Sequence, residues 1–226
     1  MTISRISGSE TDFWKEIWSI GKLGFHQTKP NPHLIAQYNS IESKLGSPKN
    51  IFLPLCGKTL DLKWLSKQAS HVYGVEVVET AILEFFSENN IPFEKENIAG
   101  VTAYKSDKIT LYCANFFDLT SEHLPDVDVV YDRAACIALP VDTRKKYFSH
   151  LSTIIVKRPA IHFLITLEHT GPKDLGPPFP VLFEEINSLP YKKCEEICST
   201  SEQVRSEYLL QNGVKECISK GYFLHF

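Results

Sequence analysis

Asn50-Ile51-Phe52-Leu53-Pro54-Leu55-Cys56-Gly57-Lys58-Thr59 runs on, through a helix-patterned stretch, to His71-Val72-Tyr73-Gly74-Val75-Glu76-Val77. The alternation begun by these segments decides the fold. Asn50–Leu55 is a short, nearly continuous apolar run and reads as a buried strand. Thr59–Gln68 reads as a helix, with Leu60, Leu62, Trp64 and Leu65 on its apolar side. His71–Val77 is a second strand and Glu79–Asn90 a second helix. Further on, Ile109–Phe116, Val127–Tyr131 and Ile161–Leu167 read as strands, and Asp142–Ile155 as a helix. Strands alternating with helices predict βαβ units, hence an α/β fold with a mostly parallel sheet covered on both faces. Cys194–Thr200 and Ile218–Phe226 read as strands without that regular helix between them, which predicts an antiparallel C-terminal edge.

Upstream, Asp12–Ser19 mixes Trp14, Ile17 and Trp18 with charges at helical spacing. Asn31-Pro32 opens a second helix, along which Leu34, Ile35, Tyr38 and Ile41 recur, and Gly46-Ser47-Pro48 ends it. No repeat, low-complexity tract or composition break divides the chain. One domain is expected over residues 1–226, with residues 1–45 as an N-terminal helical cover and 50–226 as the core.

Composition narrows the function. The 226 residues are 43% hydrophobic and 23% charged, an ordinary globular balance. A formal net charge of -3 gives no reason to expect nucleic acid or an anionic membrane as partner. Met1–Glu10 is polar and no run of about 18 apolar residues occurs, so neither signal peptide nor membrane span is expected and the cytoplasm is the expected compartment. The six cysteines then read as reduced thiols. Cys194 and Cys198, four apart, would share a helix face, but no co-ligands complete a zinc set and no metal is expected.

In an open parallel sheet the ligand lies beyond the carboxyl ends of the strands, where strand order reverses. Gly57 permits a tight turn after the first strand. The segment lacks both the G-x-G-x-x-G dinucleotide fingerprint and the first glycine of a P-loop, since position 52 is Phe. A strand-to-helix turn without any ligand is the plain alternative. Glu76 follows Gly57 by about twenty residues, where an acid accepts hydrogen bonds from ribose hydroxyls in nucleoside-binding α/β folds. Turn and acid together favour an adenosine-containing ligand without a diphosphate. At the third strand's end, Asn115 and Phe116 would bracket an adenine, unless Phe116 and Phe117 are simply core. At the fourth, Asp132-Arg133 offers either a cation for a carboxylate or polarisable anion, or an internal ion pair.

These residues resemble the thiopurine S-methyltransferase family. The resemblance runs from about Phe13 to the C-terminus. It is carried by Phe13-Trp14 leading to Trp18, Gly24-Phe25-His26-Gln27, Pro54-Leu55-Cys56-Gly57-Lys58, Gly74-Val75-Glu76, Phe117-Asp118-Leu119, Asp132-Arg133 and Gly176-Pro177-Pro178-Phe179. It implies a class I methyltransferase (Rossmann-like) fold with a seven-stranded sheet, and S-adenosylmethionine as cofactor. By resemblance, Trp14 and Phe25 belong to the cover, Leu55 and Gly57 line the cofactor, Glu76 takes the ribose, Asn115 and Phe116 meet adenine, and Arg133 sits at the active site. Three positions depart from the animal members: Asn115-Phe116 stands for Ser-Ile, Leu167-Glu168-His169 for Tyr-Asp-Pro, and Arg205, the nearest counterpart of a second substrate arginine, falls about three residues off.

The implied activity is S-methylation of aromatic or heterocyclic thiols by in-line displacement, in a monomer. Two rivals are a methyltransferase for small inorganic nucleophiles (halide, thiocyanate, selenium or tellurium species) and a nucleoside-binding protein without turnover. A sulfonium is an excellent leaving group, so such a site must align the nucleophile and exclude water rather than supply a triad. An acidic thiol needs no strong base. His26 is thus either a base or a packing residue. Arg133 would hold the substrate anion or the methionine carboxylate, serving as catalytic or cofactor-binding residue. The acceptor side is expected from Phe25, Arg133 and the Gly176–Phe179 segment, with Phe179 as a wall for a flat ring.

Overall fold

A computed structural model of the chain describes residues 10–21, 23–156 and 160–226. The first nine residues of the expected cover lie outside the described residues. In chain order the elements are α1 Glu10–Ser19, α2 Pro32–Leu45, β1 Asn50–Leu53, α3 Leu60–Leu65, β2 His71–Glu76, α4 Glu79–Glu88, β3 Glu94–Ile98, β4 Val101–Lys105, β5 Ile109–Cys113, β6 Val129–Arg133, α5 Val141–Ile154, β7 Ile161–His169, α6 Phe183–Asn187, β8 Lys193–Gln203, α7 Glu207–Gln211 and β9 Glu216–His225.

The strands form one sheet in the order β3-β4-β5-β2-β1-β6-β7-β9-β8. Its centre, β5-β2-β1-β6-β7, is parallel. The expected antiparallel C-terminal edge is β9 and β8. The sheet has nine strands instead of seven, because an antiparallel hairpin, β3-β4, adds a second edge beside β5. That hairpin turns at Ala99 and Gly100, both at positive φ.

Two apolar layers sandwich the sheet. Leu34, Tyr38 and Ile41 of α2 pack with α3, α4 and one sheet face. Tyr147, Phe148 and Leu151 of α5 pack on the other. Within the expected cover of residues 1–45, α2 packs as a core helix, whereas among the described residues Trp18 of α1, Leu23 and Phe25 belong to a separate apolar cluster with Val78 and Ala81. Sequence sets these boundaries locally. The Asn31 side chain accepts from the His33 N–H and caps α2 with Pro32 in its first turn. Thr59 caps α3 in the same way. Cys194 and Cys198 share no helix. They stand on β8 about a register irregularity, with Cys198 Sγ 3.3 Å from His33 Nδ1. All six cysteines are unbridged. Among the described residues no helix is long and apolar enough to cross a membrane.

Candidate active site

Strand order reverses between β1 and β6, so the turns after these two strands flank the crevice. Both turns hold a non-glycine residue in the left-handed region, Leu55 (φ 45°) and Ala134 (φ 64°). Such backbone costs on the order of 1–3 kcal/mol and concentrates where geometry serves a ligand. Gly57 (φ 53°) follows, and a Cβ there would meet the Trp18 ring at 3.3 Å. A glycine thus lets α1 settle directly on the first turn.

Glu76 ends β2 beside that turn. Its Oε2 accepts from the Gly57 N–H and its Oε1 from the Val78 N–H, both at 2.9 Å. The carboxylate clamps the turn, and each oxygen keeps a further acceptor site. Burial pushes its pKa above the ordinary 4.5, against the pull of backbone N–H groups of Val78, Gly57 and Val77. Neighbouring Cys56 is buried, and burial with the Glu76 charge holds its thiol well above 9.0. It is no nucleophile. Lys58, the residue that hinted at a P-loop, is bound by Glu84 and Glu88 of α4 at 2.8 and 2.7 Å.

Asp132 and Arg133 separate, because successive strand side chains point to opposite faces. Asp132 is fully buried and accepts from the Tyr147 hydroxyl at 2.6 Å and the Cys136 N–H at 3.1 Å. Arg133 turns towards the cover, and its Nη2 donates to the Phe25 carbonyl at 3.0 Å. The internal ion pair is absent. Among the described residues no carboxylate lies within ion-pair distance of Arg133.

The cover is aromatic. Phe25 meets Trp14 and Trp18 edge-on at 5.6 and 6.0 Å, and Trp18 also packs on Val78 and Ala81. At its other end α1 is tied down by Glu10, which accepts from Thr143 at 2.6 Å, and by Thr11, 3.5 Å from Asn115 Nδ2. The helix therefore spans from the ends of β1 and β2 to that of β5. His26, on the same cover loop, has its pKa lowered by burial and by the charges of Lys58 and Arg133. It is held neutral near pH 7.

Two expected contacts sit differently. Asn115 caps the 3-10 turn Phe116–Asp118. Phe116 is only 2% exposed and packs on Tyr147 and His150, whereas Phe117 is the exposed ring of the pair. Phe179, expected to wall the acceptor, is 3% exposed. Its N–H donates to the Ile137 carbonyl, and its ring lies so close under Gly176 that a Cβ there would approach it to 2.5 Å. Arg205 is exposed just past the end of β8, the outermost strand of the C-terminal edge.

Asp61 went unread in the sequence. It looks like an ordinary acid in a helix's first turn, yet it is 1% exposed, accepting from the Asn31 N–H at 2.7 Å and the Tyr131 hydroxyl at 3.1 Å. It fixes the base of the cover loop to the strand that carries Arg133.

Comparison with solved structures places this architecture. A SAM-dependent methyltransferase from Anabaena variabilis ATCC 29413 superposes with a TM-score of 0.64 at 16% identity, over 100% of this chain and 99% of the other. The Burkholderia thailandensis 1,6-didemethyltoxoflavin-N1-methyltransferase, solved with S-adenosylhomocysteine bound, gives 0.61 at 11% identity, over 98% and 93%. The fold is that of a class I S-adenosylmethionine-dependent methyltransferase. Residues 9–225 match the thiopurine S-methyltransferase family. The thiopurine S-methyltransferases of Pseudomonas aeruginosa (strain UCBPP-PA14) and Legionella pneumophila (strain Corby) are 38% and 36% identical, over 78% and 92% of this chain and 80% and 97% of theirs. The chain belongs to the thiopurine S-methyltransferase family and uses S-adenosylmethionine.

Proposed function

We propose that the chain moves a methyl group from S-adenosylmethionine to the sulfur of small aromatic or heterocyclic thiols. The observation that carries this reading is Arg133. It is a cation without a carboxylate partner among the described residues, held against the Phe25 backbone where the aromatic cover meets the crevice. A thiolate brought under Phe25 would find its counter-charge there.

The residues present fit the cofactor. Glu76 has acceptor sites left for ribose hydroxyls, the Leu55–Gly57 turn supplies a close backbone wall, and Trp14 and Trp18 roof it. Asn115 supplies a polar edge for adenine. Phe116, being buried, supports that edge from below, and Arg133 is placed for either the methionine carboxylate or the acceptor anion. When bound, S-adenosylmethionine supplies a methyl group on a positively charged sulfur. What the chain contributes is alignment of the acceptor and removal of water under α1. Neutral His26 is available to take a thiol proton. Phe25 offers the acceptor an aromatic edge, and the Gly176–Phe179 segment bounds it, with Phe179 fixing the segment's shape from within.

Calorimetry with S-adenosylhomocysteine, then turnover with methyl-labelled cofactor, tests the reading. Binding tighter than about millimolar, roughly -4 kcal/mol, and methylation of thiophenol or a mercaptopurine are expected. Labelling of iodide, thiocyanate or selenite in preference to every thiol would replace the acceptor class. Binding without any turnover would leave only a nucleoside-binding protein.

A lid role for α1 makes its own prediction. Cleavage by a protease within residues 10–30 should be fast in the free protein and slow with S-adenosylhomocysteine bound. Equal rates would make α1 a plain packing helix.

A further inference from the structure

We infer that Asp61 is a positioning residue for the methyl acceptor: it seats the loop that carries Phe25 and His26, and so leaves Arg133 free to meet the substrate. The inference rests on the thiol reading of the crevice and concerns its acceptor side alone.

Tyr131 and Arg133 lie two residues apart on β6. Both side chains therefore leave the same sheet face, from Cα atoms roughly 7 Å apart. The chain from Phe25 to Asn31 is tied to this pair at both of its ends. The first tie is the bond from Arg133 Nη2 to the Phe25 carbonyl at 3.0 Å. The second runs through Asp61, whose Oδ1 accepts the Asn31 N–H at 2.7 Å and whose Oδ2 accepts the Tyr131 hydroxyl at 3.1 Å. Asn31 also caps α2, and its Nδ2 donates to Gln27 Oε1 at 3.3 Å within the loop. One carboxylate thus joins α3, the start of α2, the loop and β6.

The two ties differ in kind. Arg133 is partly exposed, and an acceptor anion would compete with the Phe25 carbonyl for its guanidinium. The second tie is buried at Asn31, Asp61 and Tyr131 alike, so neither water nor substrate loosens it. It holds the loop in place when Arg133 turns to the acceptor. Burial pushes the Asp61 pKa up, while the Asn31 N–H and the Arg133 charge pull it down, which sets the carboxylate within electrostatic reach of the guanidinium as well. Asp61 acts through Asn31 and Tyr131 rather than by touching the acceptor. On the cofactor side the Gly57 turn has its own clamp in Glu76.

Asp61→Asn and Asp61→Ala remove the same charge. The amide keeps an oxygen for the Asn31 N–H and an NH₂ that can donate to the Tyr131 hydroxyl, so the comparison between the two variants reads the bonds alone. Steady-state kinetics with thiophenol, calorimetry with S-adenosylhomocysteine and hydrogen exchange at the Asn31 amide are measured in each. KM for thiophenol in Asp61→Ala is expected to exceed that in Asp61→Asn by about five- to tenfold, with kcat changed less and cofactor affinity the same within about twofold. The Asn31 amide should exchange faster in the alanine variant. Should Asp61→Ala fail to fold, Tyr131→Phe removes the strand half of the tie at the cost of one hydroxyl, and should raise KM about two- to fivefold over wild type with cofactor affinity kept. Equal KM or equal Asn31 exchange in the alanine and asparagine variants, an unchanged KM in Tyr131→Phe, or cofactor affinity falling in step with that for the acceptor would overturn the inference. Turnover of thiophenol by the wild type decides the thiol reading by itself, and Asn31 exchange needs no turnover, so the two failures are told apart.

Discussion

Glu76→Gln is expected to weaken S-adenosylhomocysteine binding by about ten- to a hundredfold, the worth of roughly 1.5–3 kcal/mol for a hydrogen bond to a charged group. The wild-type carboxylate has two tasks: it accepts from Gly57 and Val78, and it is proposed to accept from the ribose. The amide keeps one acceptor oxygen and presents an NH₂ where an acceptor was. The pH dependence separates binding from folding. Burial raises the Glu76 pKa above 4.5, so as pH falls from 7 the acceptor is lost earlier than an ordinary glutamate would lose it. Cofactor affinity should fall with it, and Glu76→Gln should flatten that slope. The stability contribution has the opposite sign. An acid with a raised folded pKa favours the folded state most below its unfolded pKa, and that contribution is lost as pH rises through the folded value. The stability of wild type relative to Glu76→Gln should therefore increase towards acid while cofactor affinity decreases. Parallel trends, or unchanged affinity in a folded variant, would show that the nucleoside is not held by Glu76.

That Glu76 was readable at all follows from the parallel sheet. The βαβ pattern over residues 50–90 put its carboxylate at a strand's carboxyl end; β1, β2 and β5 fall within the runs read as strands, while β6 and β7 overlap theirs and run on past Tyr131 and Leu167. The hairpin β3-β4 escaped for a physical reason. Glu94-Lys95-Glu96-Asn97-Ile98 is an edge strand, mostly exposed and charged, and such charges protect an edge from pairing with another chain while removing the apolar alternation a reader looks for. Phe116 and Phe117, like Asp132 and Arg133, were read as pairs. Asp132 and Arg133 are direct neighbours in a strand and point opposite ways, and Phe116 and Phe117 follow each other in a 3-10 turn at about 120° per residue, so each pair divides between a buried and a more exposed side chain. Asp61 and Arg144 illustrate the harder case. Both sit on helices among other charged residues, and only tertiary contacts reveal that they are buried.

Arg144→Ala is expected to cost the most stability of any single change discussed, on the order of 3 kcal/mol. Arg144 is fully buried within α5. Its Nε and Nη2 donate to Glu185 of α6 at 2.6 and 2.8 Å, while Nη1 donates to the Leu139 carbonyl and Nη2 also to the Pro180 carbonyl. Truncation strips a carboxylate of its partner and leaves two buried carbonyls short of a donor. Breaking a buried pair costs about 3–5 kcal/mol. The Glu185 side chain is 24% exposed and water relieves part of its loss, so the lower end applies. At roughly 2–4 °C per kcal/mol for a chain of this size, Tm should fall by about 10 °C. The consequences for activity should be one-sided. Leu139 and Pro180 flank the Ile137–Phe179 backbone bond that holds the Gly176–Phe179 segment, whereas the Glu76 turn lies across the crevice on β1 and β2. Below the melting temperature, KM for an aromatic thiol should therefore rise several-fold, with S-adenosylhomocysteine affinity nearly unchanged. Arg144→Met combined with Glu185→Leu replaces the pair by apolar side chains and should recover part of the lost stability, though not all of it, because the two carbonyls remain without their donor. A melting temperature within about 2 °C of wild type for Arg144→Ala would deny the brace. So would an equal loss of thiol and cofactor affinity, since that would mean the whole crevice, and not its acceptor wall, depends on it.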